Sequence, residues 1–239
     1  MWWDVLYPRI RPFLPADTIL EIAPGHGRCT TFLKDYCDKL IVVDLSPSCI
    51  ETCRRRFRDS SHVLCYTNDG QSLDMIPDES VDFAFSFDSL VHVEVDVLRE
   101  YVLQLGRKLK PSGAAFLHHS NLGSFPGSVL LSRGASRIFP LGFVQRLRDV
   151  GLLLAPAWRG RNVTGDLVQK ISKEASLQCV TQELINWANK RHLIDCFSTF
   201  ARSETPHGEC AVIRNPYFLN QARQCRLRAQ SFPEDRVQR

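Results

Sequence analysis

The stretch that decides the fold runs from residue 19 to residue 28 and reads Ile-Leu-Glu-Ile-Ala-Pro-Gly-His-Gly-Arg. A short apolar run that contains the acid Glu21 enters a turn at Gly25 and Gly27. Glycine tolerates the positive φ and the close backbone approach that such a turn requires. The segment therefore predicts a first strand that ends in a ligand-binding loop.

The next apolar run, residues 40–43, ends at Asp44. An acid at the tip of the second strand of a doubly wound sheet is where the two hydroxyls of a ribose are held. The turn is not a dinucleotide fingerprint, because G-x-G-x-x-G begun at Gly25 needs a glycine where Thr30 stands. The pattern predicts a site for a nucleoside-bearing cofactor without a pyrophosphate.

This order of acid, glycine turn and second acid resembles the cofactor site of the class I S-adenosylmethionine-dependent methyltransferases over residues 18–121. The resemblance implies S-adenosylmethionine as the cofactor, with Glu21 beside the methionine moiety, Asp44 at the ribose and Asp69 at the adenine. This chain departs from the family's acid-x-Gly-x-Gly-x-Gly at Ala23, which replaces the first glycine. The other positions that the resemblance assigns to the cofactor are Gly25, Gly27, Leu45, Asn68, Gly70, Phe87 and His92.

The rest of the chain predicts the fold class. Apolar runs alternate with helical stretches in β-α-β order, which predicts an α/β fold with a doubly wound, mostly parallel sheet. The resemblance implies seven strands, Rossmann-like, with a helical or loop cap. Ser46 and Pro47 predict an N-cap and first helical position after the second strand. Lys-Pro-Ser-Gly at 110–113 predicts the end of the helix before strand five.

We expect a single methyltransferase domain over the 239 residues. Its expected parts are an N-terminal lid segment (1–17), a cofactor-binding half (18–121), an inserted loop or cap (122–160), a substrate-side half (161–216) and a C-terminal helix and tail (217–239). Residues 123–140 are rich in Gly, Ser and Pro, which predicts a long connection or an inserted cap.

Composition and hydropathy limit the expected cellular location of the protein and the classes of its binding partners. No apolar run approaches the ~20 residues of a membrane helix, and the first residues lack the pattern of a signal peptide, so we expect a cytoplasmic protein. Nine cysteines without a C-x-x-C pair favour reduced thiols over disulfides or a zinc site. A net charge of +4 is too small to indicate nucleic acid. The expected partner is a small-molecule substrate, with neither nucleic acid nor membrane, and a homodimer is left open.

Candidate catalytic residues follow strands four and five, at the edge where open α/β sheets bind ligands. Methyl transfer needs an in-line nucleophile and an acceptor for its proton. Neutral histidine suits that task near pH 7. His119 is therefore the first candidate base and His118 the second, with Asp88 orienting the acceptor.

Adjacent strand residues point to opposite faces, so only one histidine is expected to face the acceptor. The structural alternative is that one of them packs into the sheet and hydrogen-bonds a backbone carbonyl.

We expect no required metal. Asp88, the two histidines and Asn121 offer a single carboxylate, a mixture poorly suited to Mg²⁺. Asn121 and Trp187 are the candidate substrate contacts. The indole of Trp187 either stacks on a sugar ring or covers the core, and the sequence does not choose between them.

The polar strand ends and the Glu-Leu-Ile-Asn-Trp segment at 183–187 resemble bacterial methyltransferases of the sugar and polysaccharide type. This resemblance implies O-methylation of a hydroxyl on a sugar or another small polar natural product. Two alternatives stay open: N-methylation of an amino sugar or small amine, and a non-catalytic S-adenosylmethionine-binding or scaffold protein. Nucleic-acid methylation is disfavoured, because the Asn/Asp-Pro-Pro-Tyr/Phe motif is absent after strand four, where Ser-Phe-Asp-Ser stands at 86–89.

Overall fold

One mixed sheet of eight strands organises the molecule, in a computed structural model that describes residues 1–154, 158–187, 191–202 and 208–230. The strands are β1 (Ala16–Ile22), β2 (Cys37–Asp44), β3 (Val63–Thr67), β4 (Val81–Ser86), β5 (Leu109–Ser120), β6 (Gln178–Ile185), β7 (Asp195–Ala201) and β8 (Ala211–Asn215).

The order of the strands is β3-β2-β1-β4-β5-β7-β6-β8. The first five strands are parallel, and β7 runs antiparallel to both β5 and β6. The predicted α/β class is confirmed, but the expected number of seven strands is wrong, because β8 pairs in parallel with β6 at the edge. The chain leaves the sheet in opposite directions from β1 and β4, and a ligand crevice is expected at such a switch point.

Helices flank the sheet. They are α1 (Tyr7–Ile10), α2 (Thr30–Leu33), α3 (Pro47–Arg56), α4 (Val95–Lys108), α5 (Pro126–Ile138), α6 (Leu141–Asp149), α7 (Gly165–Glu174) and α8 (Phe218–Gln230). The predicted start of α3 is confirmed: Ser46 is the N-cap, its side chain accepts a hydrogen bond from the backbone N–H of Cys49, and Pro47 is the first helical residue. None of the helices in the described part of the chain has the length and hydropathy needed to span a bilayer.

Two hydrophobic layers hold the sheet in place. On one face Leu105 of α4 and Ile171 of α7 are buried against the strands. On the other face Phe85, Phe116 and Phe218 belong to an aromatic layer and are at most 2% exposed. Each side chain buried in this way contributes roughly 1.5–3 kcal/mol. The packing fixes the strands, and with them the loops at their carboxyl ends.

The N-terminal segment belongs to the aromatic layer. Trp2 is 5% exposed and stacks on Phe32 at a centroid separation of 4.9 Å. Ile10 is fully buried in the same layer. These contacts attach the segment to the sheet, and its expected role as a lid stays a prediction. At the other end of the chain, the basic tail at 231–239 lies outside the described residues.

The segment 123–140, expected to be a long connection or an inserted cap, is mostly helical, because α5 occupies residues 126–138. Pro126 is the first residue of α5 and Pro140 is the N-cap of α6, so both prolines start a helix. Ala135, Val144 and Leu153 pack together between the two helices. This burial outweighs the weak helix propensity of the glycines and serines.

Candidate active site

The glycine turn after β1 has a positive φ at three alternate positions: Ala23 at 56°, Gly25 at 59° and Gly27 at 80°. A Cβ added to Gly27 would lie 2.6 Å from Cε2 of Phe57, so the packing of the ring requires glycine there. A Cβ added to Gly25 would meet no atom of the described residues within 4 Å beyond its chain neighbours. Gly27 therefore serves the packing of the loop, and Gly25 keeps one side of the loop open. Ala23 adopts the conformation for which glycine is the usual choice, at a cost of about 1–2 kcal/mol.

Asp44 connects the end of β2 to this turn. One carboxylate oxygen, Oδ2, accepts a hydrogen bond from the backbone N–H of Gly25 at 3.0 Å. The other, Oδ1, accepts from the N–H of Ser46 at 2.8 Å. The side chain is 9% exposed and keeps lone pairs on both oxygens. The carboxylate is thus held in a fixed orientation at the mouth of the crevice.

Glu21 lies beneath the turn and is 2% exposed. Burial raises its pKa to about 7, although a short hydrogen bond of 2.5 Å from the hydroxyl of Thr30 and the nearby charge of Arg28 oppose the shift. A buried carboxyl group whose charged form is disfavoured is a frequent property of functional sites. A cation beside Glu21 would restore the charged form, so this position favours a ligand with an ammonium group.

We expect Glu21→Gln to change how stability depends on pH. The pKa of Glu21 is higher in the folded protein than its ordinary value of 4.5, so its protonated form stabilises the fold at low pH. The wild type loses this stabilisation as the pH rises from about 4.5 to about 7, by roughly 2–3 kcal/mol between pH 5 and pH 8. The glutamine variant has no such proton to lose. Urea unfolding of both proteins at the two pH values measures the difference, and parallel pH profiles would contradict the assignment.

The loop after β3 forms the neighbouring wall of the crevice. Asn68 accepts a hydrogen bond from the N–H of Gly70 at 3.0 Å, and Gly70 has a φ of 92°. Hydrogen bonds from the N–H groups of Ser72 and then Gln71 lower the pKa of Asp69. A Cβ on Gly70 would lie 3.4 Å from the side chain of Leu45, which is 60% exposed. An apolar side chain thus meets a glycine backbone beside Asp44, which suits the flat face of a purine.

The loop after β4 crosses the turn of β1. The hydroxyl of Ser89 donates to the carbonyl of Ala23 at 2.8 Å, which ties the two loops together. Asp88 has a φ of 63°, is 27% exposed in its side chain, and pairs with Arg28 at 3.2 Å. The guanidinium of Arg28 also lies 5.2 Å from the ring centroid of Phe87. Asp88 is thus a carboxylate at the surface of the crevice, held in an unusual backbone conformation.

His92 ends the same loop region. Its Nδ1 donates to the carbonyl of Trp158 at 2.5 Å, and the two rings lie 5.7 Å apart. This hydrogen bond connects the loop after β4 to the cap. The predicted cofactor contact of His92 stays a prediction.

His118 is fully buried and stacks on Phe87 at 5.1 Å. Its Nδ1 accepts a hydrogen bond from the N–H of Asp88 at 3.1 Å. The proton of the neutral ring is therefore on Nε2, which lies 3.4 Å from a carboxylate oxygen of Asp195. Arg159 donates two hydrogen bonds to the same carboxylate, at 2.7 and 2.9 Å. Burial acts to raise the pKa of Asp195, but His118 and Arg159 outweigh it and lower the pKa.

His119 points to the opposite face and is also fully buried. Its Nδ1 donates to the carbonyl of Ser120 at 2.8 Å, and its Nε2 accepts from the hydroxyl of Ser198 at 2.7 Å. Gln182 in turn donates to Ser198 at 3.0 Å. Burial lowers the pKa of His119 to about 4, so the ring is neutral at pH 7. Both nitrogens are engaged by the protein, and this geometry favours a structural role over the predicted role as base.

We expect His119→Ala to act on stability. The substitution removes two buried hydrogen bonds and leaves Ser198 and a carbonyl with unpaired groups, which costs about 2–4 kcal/mol. Urea unfolding measures this loss, and calorimetry with S-adenosylhomocysteine, the demethylated product of the expected cofactor, should give an unchanged affinity per folded molecule. A fully stable variant that loses turnover would instead support His119 as the base.

The two candidate substrate contacts have protein partners. The amide of Asn121 donates to the carbonyl of Leu193 at 2.8 Å, and its oxygen accepts from the N–H of Gly165 at 2.9 Å. The indole of Trp187 is partly buried against Phe87 and Phe218, with centroid separations of 6.2 and 5.5 Å. Asn121 holds the start of the cap, and Trp187 covers the aromatic layer beside the loop after β4. Substrate contact by either residue stays a prediction.

Sequence reasoning missed Arg28 and Arg159, and it missed the ion pair of Arg159 with Asp195. Arg28 follows the second glycine of the turn directly, and that position is the signal that could have revealed it. Arg159 and Asp195 are 36 positions apart in the chain, and no sequence pattern connects them. Their ion pair is a product of the tertiary structure.

Comparison with known proteins identifies the central part of the chain. Residues 19–113 match the family model described as a methyltransferase domain. This segment is a methyltransferase domain. The solved structure of the PH0226 protein from Pyrococcus horikoshii matches with a TM-score of 0.57 at 20% identity, covering 83% of this chain and 88% of that one. An S-adenosylmethionine-dependent methyltransferase from Aquifex aeolicus matches with a TM-score of 0.52 at 13% identity, covering 81% and 87%. At these identities the two structures show the fold.

Curated relatives of the methyltransferase domain match over a short stretch. The ribosomal RNA small subunit methyltransferase A of Coxiella burnetii is 29% identical over 58 residues, which are 24% of this chain and 22% of that protein. The enzyme of the same name from Geobacter metallireducens is 34% identical over 61 residues, 26% and 22% of the two chains. The match spans about a fifth of the length of these relatives, so the target in their names remains a property of those proteins.

The methyltransferase domain takes S-adenosylmethionine as its cofactor, and the residues of the crevice fit this molecule. A buried carboxyl group, Glu21, is available for the ammonium of the methionine moiety. Asp44 presents oxygens for the ribose hydroxyls, and the open side of Gly25 admits a ligand close to the backbone. Leu45 and Gly70 offer the apolar surface for the adenine.

Proposed function

We propose that this protein is an S-adenosylmethionine-dependent methyltransferase that methylates a hydroxyl of a sugar or another small polar acceptor. The observation that carries the proposal is the hydrogen bonding between the loops after β1, β2 and β4. Asp44 is bonded to Gly25, and Ser89 is bonded to Ala23. These bonds support a shared crevice for Glu21, Asp44 and Asp88. The cofactor supplies an electrophilic methyl group on a sulfonium.

We assign the acceptance of the hydroxyl proton to Asp88. Its carboxylate is 27% exposed at the crevice, whereas His118 and His119 are fully buried. A base must reach the proton that it removes, so geometry favours Asp88. Its positive φ of 63° agrees with this role, because strained backbone is concentrated at functional sites.

His118 then acts as a positioning residue. Its ring fixes the backbone of Asp88 through the 3.1 Å hydrogen bond from the N–H of that residue. On the other side of the ring, Nε2 lies 3.4 Å from the carboxylate of Asp195, which Arg159 in turn holds with two hydrogen bonds. Arg28 sets the direction of the Asp88 carboxylate by its ion pair.

A small acceptor is favoured over RNA by the loop after β4. Amino-methylating nucleic-acid enzymes of this fold use Asn/Asp-Pro-Pro-Tyr/Phe at this place, and the chain has Ser-Phe-Asp-Ser at 86–89. A carboxylate at Asp88 suits the removal of a proton from a hydroxyl. N-methylation of a small amine needs a similar pocket and is the closest alternative.

Two measurements test the proposal. Calorimetry should detect binding of S-adenosylhomocysteine, and an assay with a radiolabelled methyl donor should detect transfer to some members of a panel of sugars, nucleotide sugars and amino sugars. A ribosomal RNA fragment belongs in the same panel. Binding without transfer to any acceptor would favour a non-catalytic protein, and transfer to RNA alone would overturn the small-acceptor assignment. A Kd for S-adenosylhomocysteine weaker than about 1 mM, which corresponds to a binding free energy of about −4 kcal/mol, would overturn the proposal as a whole.

A further inference from the structure

A cleft lined by arginines lies in the cap, outside the crevice described above. It has a volume of about 490 Å³ and is bounded by α5, α6 and the residues before α7. Small-molecule sites in proteins are concave and of this order of size. Its charged lining consists of Arg133, Arg137, Arg148, Arg159 and Arg161. We call it the arginine cleft.

The charge of this part of the chain is strongly biased. Residues 122–161 contain six arginines, no lysine and a single acid, Asp149. The segment therefore carries five net positive charges, more than the +4 of the whole chain. The use of arginine alone is informative, because its planar guanidinium binds carboxylate and phosphate groups with two parallel hydrogen bonds, which lysine does not do.

Most of the arginines that line the cleft have no acidic partner among the described residues. Arg159 is neutralised by its bidentate pair with Asp195. Among the described residues, the arginines that form ion pairs do not include Arg133, Arg137 or Arg161. Arg148 donates to the hydroxyl of Ser136 at 2.9 Å, and its Nε is buried with no hydrogen-bond partner among the described residues. Like charges gathered in one cleft repel each other, and an anion between them removes that cost.

The arginine cleft adjoins the crevice. The N–H of Gly160 donates to the carbonyl of Val91 at 2.9 Å, and the hydroxyl of Ser120 donates to the carbonyl of Gly160 at 2.7 Å. The segment that carries Arg159 and Arg161 is thus attached to the loops after β4 and β5. The cleft also has an apolar side, formed by Leu122, Val129, Leu154 and Ile194.

We propose that the arginine cleft binds the anionic group of the methyl acceptor, a phosphate or carboxylate, with the apolar side against its organic part. The proposal rests on the proposed function and narrows its substrate class from a polar molecule to an anionic one. Arg133 and Arg137 are exposed on α5 one turn apart and reach the anion directly. Arg148 on α6 and Arg161 in the segment before α7 also line the cleft and add positive charge.

Calorimetry with phenyl phosphate tests the proposal without requiring turnover, and phenol serves as its uncharged counterpart. We expect the wild type to bind phenyl phosphate more tightly than phenol. The double variant Arg133→Gln/Arg137→Gln should weaken the binding of phenyl phosphate at least tenfold. Arg146→Gln is the matched control, because Arg146 lies on α6 and is exposed but does not line the cleft. This control should bind as the wild type does, and all proteins should bind S-adenosylhomocysteine equally.

Three results would overturn the proposal: equal binding of phenol and phenyl phosphate, an equal loss in the Arg146→Gln control, or no loss in the double variant. Vesicles that contain phosphatidylglycerol and a short RNA are run beside the small probe. If the vesicles or the RNA bind through Arg133 and Arg137 while phenyl phosphate does not, the cleft is a surface for a lipid headgroup or for RNA. The assignment of the cleft to a small anionic acceptor would then be wrong. A failure of the proposed function is distinguishable, because S-adenosylhomocysteine would then not bind to any of the proteins.

Discussion

Replacement of Asp88 by asparagine is expected to lower the turnover number about 10²–10⁴-fold, the usual effect of removing a positioned general base. Asparagine preserves the size of the side chain and tolerates a positive φ, so the backbone of the loop is retained. The substitution removes only the charge and the capacity to take a proton. Steady-state kinetics with the best acceptor of the panel measures the effect.

Asp59→Asn is the matched control for this experiment. Asp59 follows α3, and its side chain is 90% exposed. It loses the same charge at a place remote from the crevice and should leave turnover unchanged. If Asp88→Asn keeps wild-type turnover while the chemical step limits the rate, no general base acts there. If product binding falls as much as turnover, Asp88 belongs to the cofactor site.

Asp44→Ala is expected to weaken the binding of S-adenosylhomocysteine by about 2–4 kcal/mol, or roughly 30- to 1,000-fold in Kd. The carboxylate is held by the N–H groups of Gly25 and Ser46, so its remaining lone pairs are oriented before the ligand arrives. Its loss removes the acceptors for two ribose hydroxyls and releases the glycine turn. Calorimetry measures both the affinity and the enthalpy.

Asp38→Ala supplies the comparison for Asp44. Asp38 is exposed near the amino end of the same strand, β2, at the opposite edge of the sheet. Asp44→Ala and Asp38→Ala each remove one carboxylate from β2. Only Asp44→Ala, at the carboxyl edge of the sheet, should weaken the binding of S-adenosylhomocysteine. Equal affinities in both variants would refute the assignment of the ribose site.

Local patterns were sufficient to predict the first strands of the sheet and the loops that follow them. The helix cap at Ser46 and Pro47 depends on residues within three positions of each other, and the structure has it as predicted. The acids at the ends of β1 and β2 are set by where short apolar runs stop. Strand β8 was not predicted, because its five residues are exposed or half-buried and acquire strand structure by pairing with β6.

In the cap, composition left two alternatives open. Glycine, serine and proline between 123 and 140 are compatible with a long connection or an inserted cap, and Pro126 and Pro140 stand at helix starts, where proline is well tolerated. The helices form because Ala135, Val144 and Leu153 bury one another. Contacts between residues up to 18 positions apart therefore decided this secondary structure.

The sequence by itself determined the α/β class, and it predicted Glu21, Asp44 and Asp69 as cofactor contacts, because both inferences depend on spacing along single strands and turns. The tertiary structure decided which polar group is accessible for chemistry. His118 and His119 are equivalent in the sequence pattern, but Asp195 and Phe87 enclose one and Ser198 encloses the other, whereas Asp88 stays at the surface. The reason is physical: exposure and protonation depend on which distant side chains pack around a group, and that packing is fixed only when the sheet is assembled.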